Sequence, residues 1–162
     1  MIDEGDQAPT FELPSTTGGE VTLDAMLDRG TLVLLFNRGV WCSYCAEQLQ
    51  TFSNHEYDLW RNHGTNVLGL TGDPVSANRQ MQDRFDISVP LLSDRSLDVT
   101  EDWVGIEHND AHGDIPYSAT FIIDSEGVVQ YAHHADNASD RTYANYARHF
   151  ISGGFERPYS EG

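Results

Sequence analysis

Residues 31–45 read TLVLLFNRGVWCSYC, and the order of the parts in this stretch decides the fold. Thr31 to Phe36 is an apolar, β-prone run, too short for a helix and bounded by Gly30 and the Arg38-Gly39 turn, and it predicts a buried strand. Beyond it Cys45, Leu49, Phe52, Leu59 and Trp60 lie close to the i, i+4, i+7 stripe of a helix that ends at Gly64. Cys42 therefore falls at a helix N-terminus. There, unpaired backbone N–H groups and the positive end of the helix dipole favour a thiolate over a thiol. Cys42 and Cys45 are the chain's only cysteines. At this spacing one turn can hold an attacking and a resolving sulfur, so the pair reads as a redox dithiol.

A chain of 162 residues predicts one domain, residues 1–162, with enough length to bury a real core. The N-terminal MIDEGDQAPTFEL has no basic region followed by an apolar one, and no apolar run approaches the length of a bilayer span. The expectation is a soluble, cytoplasmic protein without a membrane partner. In a reducing compartment a lone CxxC is more often catalytic or metal-binding than a structural staple. The charge balance is extreme: 26 acidic residues against nine basic ones give a formal net charge of −17, and all nine are arginine. The acidic residues are spread along the chain and form no tail, which reads as a solvated surface resembling that of proteins from salt-in halophiles. An acidic docking face for a basic partner is the alternative. No basic stripe exists to neutralise phosphates, which excludes nucleic acid. Self-repulsion of this size predicts a melting temperature that rises with salt, as the Debye length falls from about 10 Å at 0.1 M to about 3 Å at 1 M. A melting temperature unchanged over that range refutes the halophilic reading.

Along the chain, Thr10 to Leu13 and Val21 to Leu23 predict an N-terminal β-hairpin around Thr17-Gly18-Gly19. Asn66 to Thr71 predicts a second buried strand, followed by a helix of about ten residues with Ser76 as its N-cap. Val89 to Leu92 reads as a short strand whose Pro90 suits an edge. Ser96 to Trp103 suits a short helix. Ala119 to Ile123 and Val128 to His133 read as a hairpin, and Arg141 to Ile151 as a closing amphipathic helix. This order predicts an α/β fold, a central mixed β-sheet flanked by helices on both faces.

Four stretches carry a resemblance: GDQAPTFELPSTTGGEVTL, FNRGVWCSYCAEQL, SVPLLSD at 88–94 and ATFIIDSEGVVQYAH at 119–133. In order and spacing they resemble the thioredoxin-fold redoxins, in the peroxiredoxin-like branch of alkyl hydroperoxide reductase and thiol-specific antioxidant proteins. The resemblance implies a thioredoxin fold and a thiol-dependent antioxidant oxidoreductase that reduces hydroperoxides through Cys42 and Cys45. It implies no bound cofactor, and electrons from an external dithiol such as a thioredoxin system. It leaves the oligomeric state open, a homodimer included.

The two branches of the fold assign the sulfurs differently. A thioredoxin-like Trp-Cys-x-x-Cys makes Cys42 the nucleophile and Cys45 the resolver. The peroxiredoxin pattern of Pro, three residues, Thr, two residues, Cys falls on Arg38, Cys42 and Cys45, which makes Cys45 the nucleophile and leaves two of its three positions altered. Peroxiredoxins also have an arginine just before the strand matched by Thr120 to Ile123, where this chain has Ser118. Arg38, close to the sulfurs in sequence, is the expected replacement for holding a thiolate and polarising a peroxide. Trp41 is expected to pack beside the sulfurs and Tyr44 to donate a hydrogen bond there. Cys42, at the helix start, is expected to be the more solvent-accessible nucleophile. Pro116, before Ser118, stands nearest the position of the thioredoxin cis-proline, although base rates favour a trans bond. Two other readings stay open: a general thiol-disulfide oxidoreductase acting on protein or small disulfides, and a non-catalytic redox-sensing or metal-binding module. Zinc wants four ligands, and no second CxxC or close Cys/His pair completes this one.

Overall fold

The computed structural model describes residues 1–158. An antiparallel hairpin of β1 (Glu12–Pro14) and β2 (Glu20–Thr22) comes first, as expected, turning at Gly18 and Gly19, both with positive φ. Thr22 then caps α1 (Leu23–Arg29), its hydroxyl accepting from Ala25 N at 3.2 Å. The remaining elements are β3 (Thr31–Phe36), α2 (Ser43–His63), β4 (Thr65–Thr71), α3 (Val75–Phe85), β5 (Leu91–Ser93), α4 (Asp98–Trp103), β6 (Ile106–Asn109), β7 (Gly113–Pro116), β8 (Ala119–Ile123), β9 (Val129–His134) and α5 (Ala144–Ser152).

The central sheet has the order β5-β4-β3-β8-β9, parallel through β5, β4 and β3 and antiparallel through β8 and β9. The mixed sheet expected from the element order is therefore present. β3 lies in the middle because both its faces are apolar. Strand alternation sends Val33 and Leu35 into one core with Leu49 and Phe52 of α2 and Phe150 of α5, and Leu32, Leu34 and Phe36 into a second core with Trp103. Helices thus cover both faces. Helix α2 packs close to the sheet at Gly69, where a Cβ would stand 3.0 Å from Leu49 Cδ2 and 2.6 Å from Leu91 Cδ2. It stops at Gly64, which takes the left-handed conformation at φ 58° and donates its N–H back into the last turn.

Three local expectations are corrected, and one hairpin is added. The first residues after β2 form α1, where the sequence reading carried Val21 to Leu23 as strand. Pro74, not Ser76, occupies the N-cap of α3, and Ser76 lies inside its first turn. A small hairpin of β6 and β7 fills the stretch between Trp103 and Ser118. Helix α5 begins at Ala144, so Arg141 belongs to the loop before it. No peptide bond among the described residues is cis, so Ile115–Pro116 is trans. Among those residues no helix is long and apolar enough to cross a membrane.

Candidate active site

β3 delivers the chain, at the carboxyl end of the sheet, into the loop that leads to Cys42. Asn37 is fully buried and pins the loop at its start, its backbone N–H donating to Leu70 O at 2.9 Å and Nδ2 to Leu35 O at 2.9 Å. Val40 N donates to Asp73 Oδ2 at 2.9 Å and ties the loop to the segment after β4. Gly39 is required by close approach, since a Cβ there would stand 2.3 Å from Trp41 Nε1. The Trp41 ring in turn stacks on His112, with centroids 3.5 Å apart and planes 3° from parallel. Arg38 is clasped by Glu107, Nε to Oε1 at 3.3 Å and Nη2 to Oε2 at 2.8 Å, the two-pronged geometry a guanidinium favours. The β6–β7 hairpin therefore holds the cysteine loop from outside through two side chains, Glu107 and His112.

Cys42 is the N-cap of α2, and its Sγ accepts the Cys45 N–H at 3.2 Å. This is the helix-terminus geometry read from the sequence. Cys42 is the less buried of the two cysteines, in the expected order, but it is not open to solvent: it is 4% exposed, against 0% for Cys45. The cation that serves both sulfurs is Arg141. Its Nη2 lies 3.5 Å from Cys42 Sγ and 3.3 Å from Cys45 Sγ, while Nε donates to Ala138 O at 2.9 Å. Nη1 is buried and has no partner among the described residues. The loop that carries Arg141 is fixed from two sides. Gln48, buried on α2, donates to Thr142 O at 2.8 Å and to Thr120 Oγ1 at 3.1 Å. Asp140 receives His133 Nε2 at 2.8 Å and the Asp136 N–H at 2.8 Å.

These contacts set the ionisation of the pair. The Cys42 thiol is lowered to about 6, chiefly because the Cys45 side chain hydrogen-bonds to it; the Cys45 N–H, Arg141 and Arg38 add to the effect, and together they outweigh burial. Burial, followed by the bond to its neighbour, pushes Cys45 well up. Near neutral pH the site thus holds a thiolate on Cys42 beside a thiol on Cys45. Arg38, expected to be the main cation, is the smallest of these influences on Cys42, since its donors are taken by Glu107. Trp41 packs on Gly39 and His112, and Tyr44 is 42% exposed with its hydroxyl unbonded among the described residues. Among those residues no cluster of three or more His, Cys, Asp or Glu side chains is placed to hold a metal.

The model of the AhpC/TSA family matches residues 4–132. The chain belongs to the AhpC/TSA family. It is 28% identical over 130 residues to the chloroplastic peroxiredoxin Q of Oryza sativa subsp. japonica, covering 80% of this chain and 58% of that protein. It thus spans a little over half the length of that relative. In three dimensions it is similar to peroxidoxin BcpB of Mycobacterium tuberculosis, at TM-score 0.75 and 23% identity, covering 86% of this chain and 90% of that one. It is also similar to Mycobacterium tuberculosis AhpC, at TM-score 0.81 and 17% identity over 99% and 97% of the two chains. The fold is that of the peroxiredoxins. Against the pattern set out above for this AhpC/TSA branch, Ser118 is 5% exposed, and its Oγ has no partner among the described residues. The guanidinium that reaches the sulfurs is that of Arg141, in the loop before α5, beyond the stretch that the family model covers.

Proposed function

We propose that the chain is a thiol-dependent peroxidase that works through Cys42 and Cys45, with Cys42 attacking. The observation that carries this reading is the single guanidinium nitrogen of Arg141 within reach of both sulfurs. The Cys42 thiolate attacks the terminal oxygen of a hydroperoxide; the S–O bond forms, the O–O bond breaks, and the leaving alkoxide takes a proton to depart as an alcohol, or as water from hydrogen peroxide. Cys42 is then a sulfenic acid. The Cys45 thiol displaces its hydroxyl as water and closes the disulfide. An external dithiol, such as a thioredoxin in a reducing cytoplasm, returns the pair to the reduced state and is itself oxidised to a disulfide. Membership of the AhpC/TSA family supports this assignment. Intact-mass measurement after brief substoichiometric peroxide tests it: closure of the disulfide removes about 2 Da, whereas a stranded sulfenic or sulfinic acid adds oxygen. No change in mass overturns it.

A second reading has its own support in the lowered Cys42 thiol and raised Cys45 thiol. This is also the division of labour needed by a disulfide reductase, in which Cys42 forms a mixed disulfide that Cys45 resolves. Turnover with a protein disulfide and none with peroxide selects it.

A further inference from the structure

Arg141 reaches both sulfurs, but among the described residues no carboxylate is hydrogen-bonded to its guanidinium. Nη2 lies on the sulfurs, Nη1 is buried without a partner, and Nε donates to Ala138 O within the same loop. An arginine side chain has several rotatable bonds, so where this one points depends on how its backbone is held. We propose that Asp140 is the positioning residue for Arg141, its carboxylate locking the loop so that the guanidinium stays on Cys42 and Cys45; the consequence for turnover rests on the peroxidase reading.

The carboxylate makes two bonds of different kinds. Oδ1 accepts from His133 Nε2 at 2.8 Å, next to the end of β9, and Oδ2 accepts the Asp136 N–H at 2.8 Å. One side chain thus closes the turn from Asp136 to Asp140 on itself and fastens it to the sheet. The other bonds of the turn are internal: Asp140 N donates to Asn137 O at 3.2 Å, and Asn137 Oδ1 accepts Ser139 N at 3.1 Å and Ser139 Oγ at 2.8 Å. Those would move with the turn. On the far side of Arg141, Thr142 is anchored by Gln48 at its carbonyl and by the Tyr131 hydroxyl at 2.7 Å. Arg141 therefore stands between two fixed points, and Asp140 makes the nearer one on the β9 side. Burial opposes the charge on Asp140, but the Asp136 N–H, His133 and Arg141 outweigh it and hold the carboxyl below its ordinary range. Asp140 is then ionised wherever the Cys42 thiolate exists, and a bond to an ionised acceptor is stronger than a neutral one.

The sign of one shift separates positioning from mere proximity. A negative charge near a sulfur disfavours its thiolate, so if Asp140 acted only through space its removal would lower the Cys42 alkylation midpoint. If it positions Arg141, its removal frees the guanidinium and the midpoint rises. Asp140→Ala should therefore raise the midpoint by about half a unit or more. Asp140→Asn keeps an oxygen for the Asp136 N–H and an amide that can bond a neutral His133, so it should return the midpoint to the wild-type value or slightly below. In an Arg141→Met background Asp140→Ala should raise nothing further, because the two residues act as one unit. His133→Phe, which removes the donor and leaves Asp140 in place, should give a smaller rise. Peroxide oxidation at a pH of full thiolate is the second readout. There Asp140→Ala should run about tenfold slower than wild type, part of the roughly hundredfold cost of losing one such donor outright, and Asp140→Asn should match wild type. An unchanged or lowered midpoint in Asp140→Ala overturns the proposal, as does an equal rise with and without Arg141, or a rise in Asp140→Asn as large as that in Asp140→Ala. Wild-type protein inert to peroxide overturns the peroxidase reading instead, and the alkylation midpoints still decide the role of Asp140.

Discussion

Replacing Arg141 with methionine should move the pH midpoint for alkylation of Cys42 upward from about 6 by about one unit or more, the scale expected for removing an opposite charge at contact distance. The sign follows from what the charge stabilises. Only the thiolate gains from a guanidinium at 3.5 Å, so its loss favours the thiol and more alkaline pH is needed to ionise the sulfur. In wild type the rate should be flat above pH about 6 and fall tenfold for each unit below it; in Arg141→Met the same profile should be displaced to higher pH. Oxidation by peroxide should suffer more than alkylation. At a pH where both proteins hold a full thiolate, the remaining deficit reports the guanidinium's contact with the charge developing on the peroxide oxygens, and removal of one such donor costs about a hundredfold. Arg141→Lys should restore much of the midpoint but less of the peroxide rate, because an ammonium supplies charge without the planar fork. Arg38→Met is the control. Its charge is committed to Glu107 and contributes least to Cys42, so its midpoint should shift by a smaller amount. A larger shift in Arg38→Met than in Arg141→Met would return the role to the residue nearer in sequence.

Arg141 was not legible as a site residue for a physical reason. It lies 96 residues from Cys45 and reaches the sulfurs only because β9 and α5 are joined by a loop that Gln48, Asp140 and His133 hold in place. None of those contacts leaves a local pattern. One signal did exist. Ser118 stands where a cation was expected, so a thiolate at Cys42 called for an arginine from elsewhere, and only nine were available. Choosing Arg38 followed chain proximity. Glu107, which occupies it, lies on the β6–β7 hairpin, whose polar sequence IEHNDAHGDIP offers no apolar alternation to read. Helix α1 was missed because seven residues hold scarcely two turns of periodicity, and Val21 and Leu23 mimic a strand before it begins. By contrast β3 and α2 were legible almost to the residue. In β3 every side chain after Thr31 is buried, while α2 has its stop at Gly64 written in the sequence. The helix start was equally plain, yet the burial of Cys42 was not. A cap position implies free N–H groups and says nothing of the loop folded over it.

Single substitutions at the two cysteines should produce opposite dead ends. Cys45→Ser should still consume one equivalent of peroxide and stop with oxygen on Cys42, because the ionised sulfur remains and only its resolver is gone. With a protein disulfide the same variant should trap a mixed disulfide through Cys42. Cys42→Ser should be nearly inert near neutral pH. Burial alone raises the Cys45 thiol, and Arg141 at 3.3 Å only partly offsets it. Removing the negative neighbour eases ionisation of Cys45 somewhat, so slow oxidation of this variant should appear as the pH is raised. The wild-type pair draws its reactivity from asymmetry: the Cys45 thiol and backbone N–H both favour a charged Cys42, and that charge keeps Cys45 protonated and ready to resolve. Loss of either sulfur should therefore abolish multiple turnovers, while only the loss of Cys42 abolishes the first. Sulfenic-acid labelling with quantitative mass spectrometry, after one equivalent of hydrogen peroxide at neutral pH, separates the assignments. Rapid labelling of Cys45 in Cys42→Ser, with none on Cys42 in Cys45→Ser, would place the nucleophile one turn deeper and make Cys42 the resolver.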